Sequence, residues 1–183
     1  MNENLTEKTK ETRLIYDGRI LHLYCDSVTL PDGSEASREY CRHNGGVCII
    51  PVTDNGEVVC VEQYRYPHNE ITLEIPAGKL ESKDIDHKAA ALRELEEETG
   101  AECDKLIYLG KIYPSPAISD EIIHIYMAQG LHFGDRHPDD DEFIETRIIP
   151  ISRLLKMINE GLIPDAKTQI AVLRANEILK AQV

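Results

Sequence analysis

The sequence predicts an α/β fold with a β-rich N-terminal arm, and three observations support this. Apolar runs bounded by turn residues recur along the chain, a densely charged central stretch has helical spacing, and two helical stretches follow at residues 151–160 and 165–181. At 183 residues and 42% hydrophobic, the chain is long enough for one sizeable core plus an appendage. We therefore divide it into an arm, residues 1–45, and a main domain, residues 46–183.

Three extended stretches make up the predicted arm. They cover residues 13–16, 20–30 and 35–42, and they are joined at Asp17-Gly18 and at Pro31-Asp32-Gly33, which are favourable turn sequences. The paired strands have too few apolar faces to form a core alone. We therefore expect the arm to depend on packing against other parts of the protein.

Strand signals continue through the main domain, at residues 46–52, 58–64, 71–75, 106–113, 121–128 and 143–149. The first two, separated by Thr53-Asp54-Asn55-Gly56, predict a hairpin that enters the core. The third strand, at residues 71–75, is followed by Pro76-Ala77-Gly78, which leads into the charged stretch. The long irregular connection at residues 130–142 is acidic, and loops of this length are often functional.

The charged stretch predicts a helix over residues 87–99, with Asp86 as its N-cap and Gly100 after its end. Glu94, Glu97 and Glu98 stand at i, i+3 and i+4, so their carboxylates share one face. Like charges at this spacing repel each other, whereas a hard divalent cation such as Mg2+ takes several carboxylate oxygens together. This face therefore indicates a metal site.

The opposite side of this helix is expected to pack on a sheet. We assign to it the residues that cluster away from the carboxylates on a helical projection, namely Ala89, Leu92, Leu95 and Thr99. Ala90 and Ala91 are expected to flank the acidic side, where small side chains would let a substrate approach the helix.

Composition narrows the class of partner. The net charge of −13 argues against a nucleic-acid or anionic-membrane surface, although metal ions and a few arginines can attract an anionic substrate locally. The chain has no run of 18 apolar residues and no apolar segment of a signal peptide at residues 1–8, which favours a cytoplasmic protein. Its five scattered cysteines lack Cys-x-x-Cys spacing and are expected to be buried, reduced thiols.

The stretch from Gly78 to Ala101 resembles the Nudix box, which has a Gly, a later Glu, and then Arg-Glu, an aliphatic residue, any residue, Glu-Glu, any residue, Gly and an aliphatic residue. Residues 93–101 fit the second half at every fixed position. The first half differs, because Gly78 lies one residue too far from Arg93 and Asp84 stands in place of the early Glu. We interpret this as a one-residue insertion near Ile85 that reshapes the loop.

Nearly the whole chain is similar to the ADP-ribose pyrophosphatase branch of this family. The matching features are the arm, Arg38-Glu39 ahead of His43, Glu62-Gln63-Tyr64-Arg65, Glu74 to Gly78, Pro116, the acidic loop and Asp165 to Thr168. Ser115-Pro116-Ala117 departs from the branch, which commonly has Gly after that Pro. The resemblance implies a Nudix-type α/β/α sandwich with a mixed sheet. It also implies hydrolysis of the pyrophosphate bond of ADP-ribose to AMP and ribose 5-phosphate.

The same resemblance implies the catalytic roles. Glu94, Glu97 and Glu98, with the Ala77 carbonyl, would hold two or three Mg2+ or Mn2+ ions. Arg93 is expected to orient Glu97 through an i, i+4 ion pair. Glu142 in the acidic loop is the first choice for the base or an outer metal ligand, and Asp140 the second.

Substrate contacts are assigned with their alternatives. Arg38 and Arg65 can bind phosphates or the terminal ribose, because guanidinium groups bind phosphate in bidentate fashion, or they can be surface ion-pair partners. The resemblance implies that Glu74 binds a base or sugar hydroxyl, with a buried structural carboxylate as the alternative, and that Pro116 lies in the substrate loop. Tyr24, Tyr40 and Tyr64 can stack an adenine, although strand tyrosines more often pack, and His43, His68 and His124 are taken as structural.

Two other functions stay open. One is the same reaction on another nucleoside diphosphate sugar or a dinucleotide, such as GDP-mannose or NADH. The other is an ADP-ribose sensor without catalysis, which the complete acidic set makes less favourable. The resemblance also implies a homodimer in which the arm, residues 1–45, helps to build the substrate pocket of the second subunit.

Overall fold

The computed structural model describes residues 3–81, 86–137 and 143–182. The chain divides into two compact units, residues 1–45 with 113–122, and residues 46–112 with 123–183. The first unit therefore contains the predicted arm together with a segment from the middle of the chain.

The first unit is built on a three-stranded antiparallel sheet. A short 3-10 turn, Glu3–Leu5, precedes its strands, which are β1 (Lys8–Asp17), β2 (His22–Thr29) and β3 (Glu35–Arg42), in the order β1-β2-β3. In the single chain β1 is exposed along its whole length. The segment 113–122 attaches to β3, where the Cys41 amide donates to the Ile118 carbonyl at 2.9 Å.

The second unit contains two sheets and three helices. Its elements are β4 (Gly46–Pro51), β5 (Glu57–Arg65), β6 (Glu70–Glu74), β7 (Ala77–Lys79), α1 (His87–Thr99), β8 (Ala101–Ile112), β9 (Ile123–Phe133), β10 (Ile144–Pro150), α2 (Ile151–Asn159) and α3 (Ala166–Lys180). One sheet has the order β7-β4-β9-β8 and the other β10-β5-β6. Because β4 is parallel to β9 and antiparallel to β7, the larger sheet is mixed, as predicted.

Strand β4 shows why this unit is an α/β/α sandwich. Val47 and Ile49 belong to the cluster formed with α1, whereas Cys48 and Ile50 belong to the cluster formed with α3. Successive strand residues point to opposite faces, so a strand covered on both sides must be apolar throughout. All six residues of β4 are buried, and the predicted fold class is confirmed.

The predicted hairpin of residues 46–52 and 58–64 is wrong. Strand β4 pairs with β7 and β9, and β5 pairs with β6 and β10, so both edges of each strand are already occupied. Between the predicted hairpin strands there is an isolated antiparallel bridge, from Val52 to Val58. The predicted loop at 130–142 is also shorter than expected, because β9 extends to Phe133.

Helix α1 has the predicted bounds but packs through a partly different face. Asp86 accepts from the Lys88 amide at 2.9 Å, and Gly100 adopts φ 70° at the helix end. Of the residues predicted to pack, Leu95 and Thr99 are buried, whereas Ala89 and Leu92 are exposed. Ala90 and Ala91, which were expected beside the acidic side, are buried as well. The small side chains at 90 and 91 let α1 lie directly on the sheet, with the acidic face bordering the core.

All five cysteines are free, and Cys48 and Cys60 are buried. Burial raises the pKa of both of these thiols to about 12, which keeps them protonated and unreactive. Cys25, Cys41 and Cys103 are only partly buried, so the expectation of buried thiols holds for two of the five. None of the helices in the described part of the chain is both long and apolar enough to cross a membrane.

Candidate metal and phosphate site

The acidic face of α1 is largely enclosed. Glu94 and Glu98 are 7% and 3% exposed, and Glu97 is partly exposed. Anionic side chains lose hydration when they are buried, so they need compensating positive charge nearby. A divalent cation would provide that charge, and carboxylate oxygens are the ligands that Mg2+ prefers.

Arg93 supplies positive charge to this face. Its Nη1 lies 2.6 Å from Glu97 Oε2, and its Nη2 lies 2.7 Å from Glu94 Oε1. The i, i+4 contact with Glu97 is the one that the helical spacing predicts. Within residues 3–81, 86–137 and 143–182, no three His, Cys, Asp or Glu side chains already form a metal-binding group.

The backbone of β7 touches the acidic face at Gly78. A Cβ atom placed on Gly78 would overlap the Glu94 carboxyl group, so any larger residue here would require that carboxyl group to move. Pairing with Val47 of β4 fixes Gly78 in place, and Ala77 pairs beside it with Cys48. Glycine thus lets the backbone of β7 lie directly against the Glu94 carboxyl group.

A pocket of about 420 Å3 lies in the same unit, between the β5–β6 region and the start of α3. The charged residues that line it are Arg65, Glu70, Glu74, Asp165 and Lys167, together with His68. Glu74 is only 2% exposed. Buried charges at the base of an open pocket are typical of a binding site for a polar ligand.

Glu74 accepts hydrogen bonds from three side chains. Arg65 donates through Nε and Nη2, at 2.7 and 2.6 Å, and Thr72 donates through Oγ1 at 2.5 Å. Lys167 Nζ donates to the same carboxylate. Burial alone would raise the pKa of Glu74, but Arg65, Lys167 and Thr72 outweigh it and lower that pKa to about 2.

The surroundings of Arg65 favour its charged form. The hydrogen bonds to Glu74 raise the pKa of Arg65, burial opposes that shift, and the charges of Asp165 and Glu98 add to it. The ion pair with Glu74 therefore keeps the Arg65 guanidinium charged in the pocket.

The other predicted site residues lie in the first unit or outside the described residues. Arg38 on β3 pairs with Glu7, with Nε 2.9 Å from Oε2, and Pro116 lies exposed in segment 113–122. Tyr24 and Tyr40 stack with ring centroids 5.8 Å apart. Glu142, Asp140 and Asp84 lie outside the described residues.

Comparison with known proteins defines the family. The NUDIX domain matches residues 42–168, which includes α1, Gly78, Arg65 and Glu74. The chain belongs to the Nudix family. A second family, the nucleoside diphosphate sugar hydrolase N-terminal domain, matches residues 7–40.

Two relatives align with this Nudix chain over almost its whole length. A methanol dehydrogenase activator from Bacillus methanolicus is 44% identical over 98% of this chain and 99% of its own. An ADP-ribose pyrophosphatase from Bacillus subtilis (strain 168) is 40% identical with the same coverage. The crystal structure of an ADP compounds hydrolase superposes with a TM-score of 0.85, covering 97% of each chain, at 19% identity, and so supports the fold.

Nudix hydrolases generally depend on divalent metals, and the acidic face of α1 fits such an ion. Its donors are hard carboxylate oxygens, two of the side chains are almost fully buried, and a glycine backbone approaches one of them closely. The sequence prediction of a metal site on this helix therefore agrees with the family to which the chain belongs.

Sequence reasoning did not assign roles to Thr72, Asp165 or Lys167, which complete the network around Glu74. A signal was present for one of them. Lys167 lies in the first turn of α3, where the helix dipole disfavours a cation, so a lysine there indicates a carboxylate partner. Asp165, the N-cap of α3, provides one such partner at 2.8 Å.

We expect Glu74 to make stability depend on pH. Its pKa is about 2 in the folded chain against the usual 4.5. Its contribution, on the order of 3 kcal/mol, is therefore complete above the unfolded pKa and is lost as pH falls towards the folded pKa. Urea unfolding of wild type and Glu74→Gln should differ most at pH 7 and converge near pH 2. A constant difference at all pH values would contradict this.

Proposed function

We propose that this protein hydrolyses the pyrophosphate bond of ADP-ribose with Mg2+ or Mn2+, releasing AMP and ribose 5-phosphate. The observation that carries the proposal is the acidic face of α1 inside a Nudix domain, where Glu94 and Glu98 are almost fully buried. The same unit holds Arg65, bound to Glu74, in a pocket of about 420 Å3. One unit would thus supply both the metal ligands and a cationic side chain for phosphate. The full-length similarity to an ADP-ribose pyrophosphatase supports the choice of substrate.

In this proposal Glu94, Glu97, Glu98 and the Ala77 carbonyl hold two to three ions, which would activate a water and neutralise the leaving phosphate. Arg93 keeps Glu97 oriented through their 2.6 Å contact. Arg65 binds a phosphate oxygen with the edge of its guanidinium that faces the pocket. Glu142 accepts the proton of the attacking water, with Asp140 as the second choice.

A hydrolysis panel tests the substrate. Ten nucleoside diphosphate sugars and dinucleotides, including ADP-ribose, GDP-mannose and NADH, are incubated with Mg2+ or Mn2+, and the products are separated. We expect ADP-ribose to have the highest kcat/KM and to yield AMP and ribose 5-phosphate. A higher kcat/KM for GDP-mannose or NADH would reassign the substrate, and binding of ADP-ribose without turnover would favour a sensor.

A second candidate function is activation of an alcohol dehydrogenase. The relative from Bacillus methanolicus named as a methanol dehydrogenase activator is 44% identical over nearly the whole chain. The dehydrogenase rate should be measured with wild type and with Glu98→Gln. Activation by wild type alone would link the effect to hydrolysis, and activation by neither protein would remove this candidate.

Substrate recognition and catalysis should respond to different substitutions. If Arg65 binds a phosphate equally in the ground and transition states, Arg65→Ala should mainly raise KM, whereas Glu142→Gln should mainly lower kcat. Steady-state kinetics on ADP-ribose at saturating Mg2+ separates the two effects. An unchanged kcat for Glu142→Gln would move the base to Asp140, and an unchanged KM for Arg65→Ala would remove Arg65 from the site.

We also propose a cytoplasmic homodimer in which residues 1–45 complete the substrate pocket of the second subunit, with Arg38 and Pro116 contributing. Leu14, Ile15 and Tyr16 on β1 are exposed in the single chain, and five free cysteines fit a reducing compartment. A stable interface of this kind buries ~2,000 Å2 or more. Light scattering should show a dimer at micromolar protein, and an active monomer would contradict the proposal.

A further inference from the structure

We infer that Lys167 is a positioning residue, which acts with Glu74 to hold the Arg65 guanidinium in the orientation that receives a substrate phosphate. The inference rests on the proposed function. It assigns a role to Lys167, whose side chain pairs with Glu74 and Asp165 rather than with the proposed metal ligands. It also gives Glu74 a role different from the substrate contact expected from the sequence.

The Glu74 carboxylate already accepts four hydrogen bonds from neighbouring side chains. Oε1 accepts from Arg65 Nε and Thr72 Oγ1, and Oε2 accepts from Arg65 Nη2 and Lys167 Nζ. An ionised carboxylate offers about four acceptor positions, and these four hydrogen bonds fill them. Glu74 is also almost fully buried. A substrate hydroxyl would have to displace one of these donors, so Glu74 is better placed to act through Arg65.

The Lys167 side chain is held in place by its contacts at the start of α3. It is 12% exposed and lies between Glu74 and Asp165. Asp165 also caps α3 by accepting from the Thr168 amide at 2.8 Å. The Thr168 hydroxyl accepts from the Ile75 amide at 2.9 Å, which ties the start of α3 to the residue that follows Glu74. The ammonium group is therefore fixed to the same framework as the carboxylate it holds.

One edge of the Arg65 guanidinium remains able to donate hydrogen bonds to a phosphate. Its Nε and Nη2 are engaged by Glu74, and within the described part of the chain Nη1 has no hydrogen-bond partner. The side chain is 38% exposed and lines the pocket. A guanidinium already locked along one edge loses less conformational freedom when a phosphate binds to its other edge.

The charges of this network explain why Lys167 matters. Arg65 and Lys167 balance Glu74 and Asp165. Without Lys167, the carboxylates of Glu74 and Asp165 would have only the Arg65 guanidinium as a positive partner in this network. The charge of Asp165 already contributes to the raised pKa of Arg65. The guanidinium would then be drawn towards both carboxylates, and its available edge would no longer be held in one direction.

The test begins with Lys167→Met, which keeps the length of the side chain and removes its charge. We expect KM for ADP-ribose to rise about tenfold while kcat stays within about twofold, because orientation before binding is lost and the metal ligands are untouched. Lys180→Met, on the exposed end of the same helix, is the matched control and should change neither constant. Thr72→Val should raise KM in the same way, and Thr72→Ser, which keeps the hydroxyl, should restore it.

A double-mutant cycle separates positioning from general destabilisation. In the Arg65→Ala background, Lys167→Met should raise KM no further, because the residue through which it acts is gone. Additive effects would overturn the inference, as would a fall in kcat with unchanged KM. Thermal unfolding of each variant shows whether the protein is folded at the assay temperature.

Hydrogen exchange of the Arg65 Nε–H tests the orientation of this side chain without relying on turnover. In nitrogen-15 NMR spectra the Arg65 Nε–H, bonded to a buried carboxylate, should exchange slowly with water in wild type and in Lys180→Met. It should exchange at least about tenfold faster in Lys167→Met, because Glu74 is no longer fixed. Unchanged exchange would overturn the inference even if the enzyme is active. Slow exchange in wild type with no hydrolysis in the substrate panel would instead reject the proposed function.

Discussion

Replacement of Glu98 by glutamine should lower kcat by ~10²-fold or more, about 3 kcal/mol of transition-state stabilisation, and Glu97→Gln should have a similar effect. Glutamine keeps the size and helix propensity of glutamate but removes a hard anionic ligand. Glu98 is 3% exposed on the face that also carries Glu94. The loss should therefore come from weaker metal binding rather than from a changed fold.

Helix α1 offers its own control for this experiment. Glu96 lies on the exposed side of the same helix, away from Glu94 and Glu98, so Glu96→Gln removes the same charge without touching the acidic face. We expect its kcat to match that of wild type. Titration with Mn2+ followed by electron paramagnetic resonance should show weaker binding for Glu98→Gln and Glu97→Gln, and unchanged binding for Glu96→Gln. Activity of Glu98→Gln or Glu97→Gln within about threefold of wild type would contradict the metal assignment.

The features that the sequence predicted well depend on residues that are close together in the chain. The bounds of α1 follow from Asp86, whose side chain accepts an amide of the first turn, and from Gly100, which adopts the left-handed conformation that ends a helix. The shared face of Glu94, Glu97 and Glu98 follows from helical geometry alone. The contact between Arg93 and Glu97 follows for the same reason.

The parts that sequence predicted poorly depend on distant residues. The hairpin of β4 and β5 was plausible locally, but β9 and β10, far along the chain, occupy the edges where the two strands would have paired. The packing face of α1 was only partly predicted because the helical projection placed it opposite the carboxylates. In the structure the buried side is shifted, so that Ala90 and Ala91 are buried together with Glu94 and Glu98. Lys167 and Glu74 are 93 residues apart, and periodicity gives no information about such a pair.

Replacement of Gly78 by alanine should reduce kcat by ~10²-fold even though it adds a single methyl group. That methyl would lie within 2.4 Å of three atoms of the Glu94 carboxyl group, so either β7 or Glu94 must move. Strand β7 is held by its pairing with β4, and we expect Glu94 to swing away from the acidic face. The metal ligands would then be misplaced while the core remains intact.

Gly134→Ala is the matched control, because a Cβ there meets its nearest atom, the Gly100 carbonyl oxygen, at an ordinary 3.7 Å. Its kcat and metal affinity should equal those of wild type. In Gly78→Ala, a second change of Glu94 to aspartate shortens the displaced side chain by one methylene and should recover part of the Mn2+ affinity. Wild-type kcat in Gly78→Ala would show that Glu94 moves without consequence, and the close contact between β7 and α1 would then have no part in metal binding.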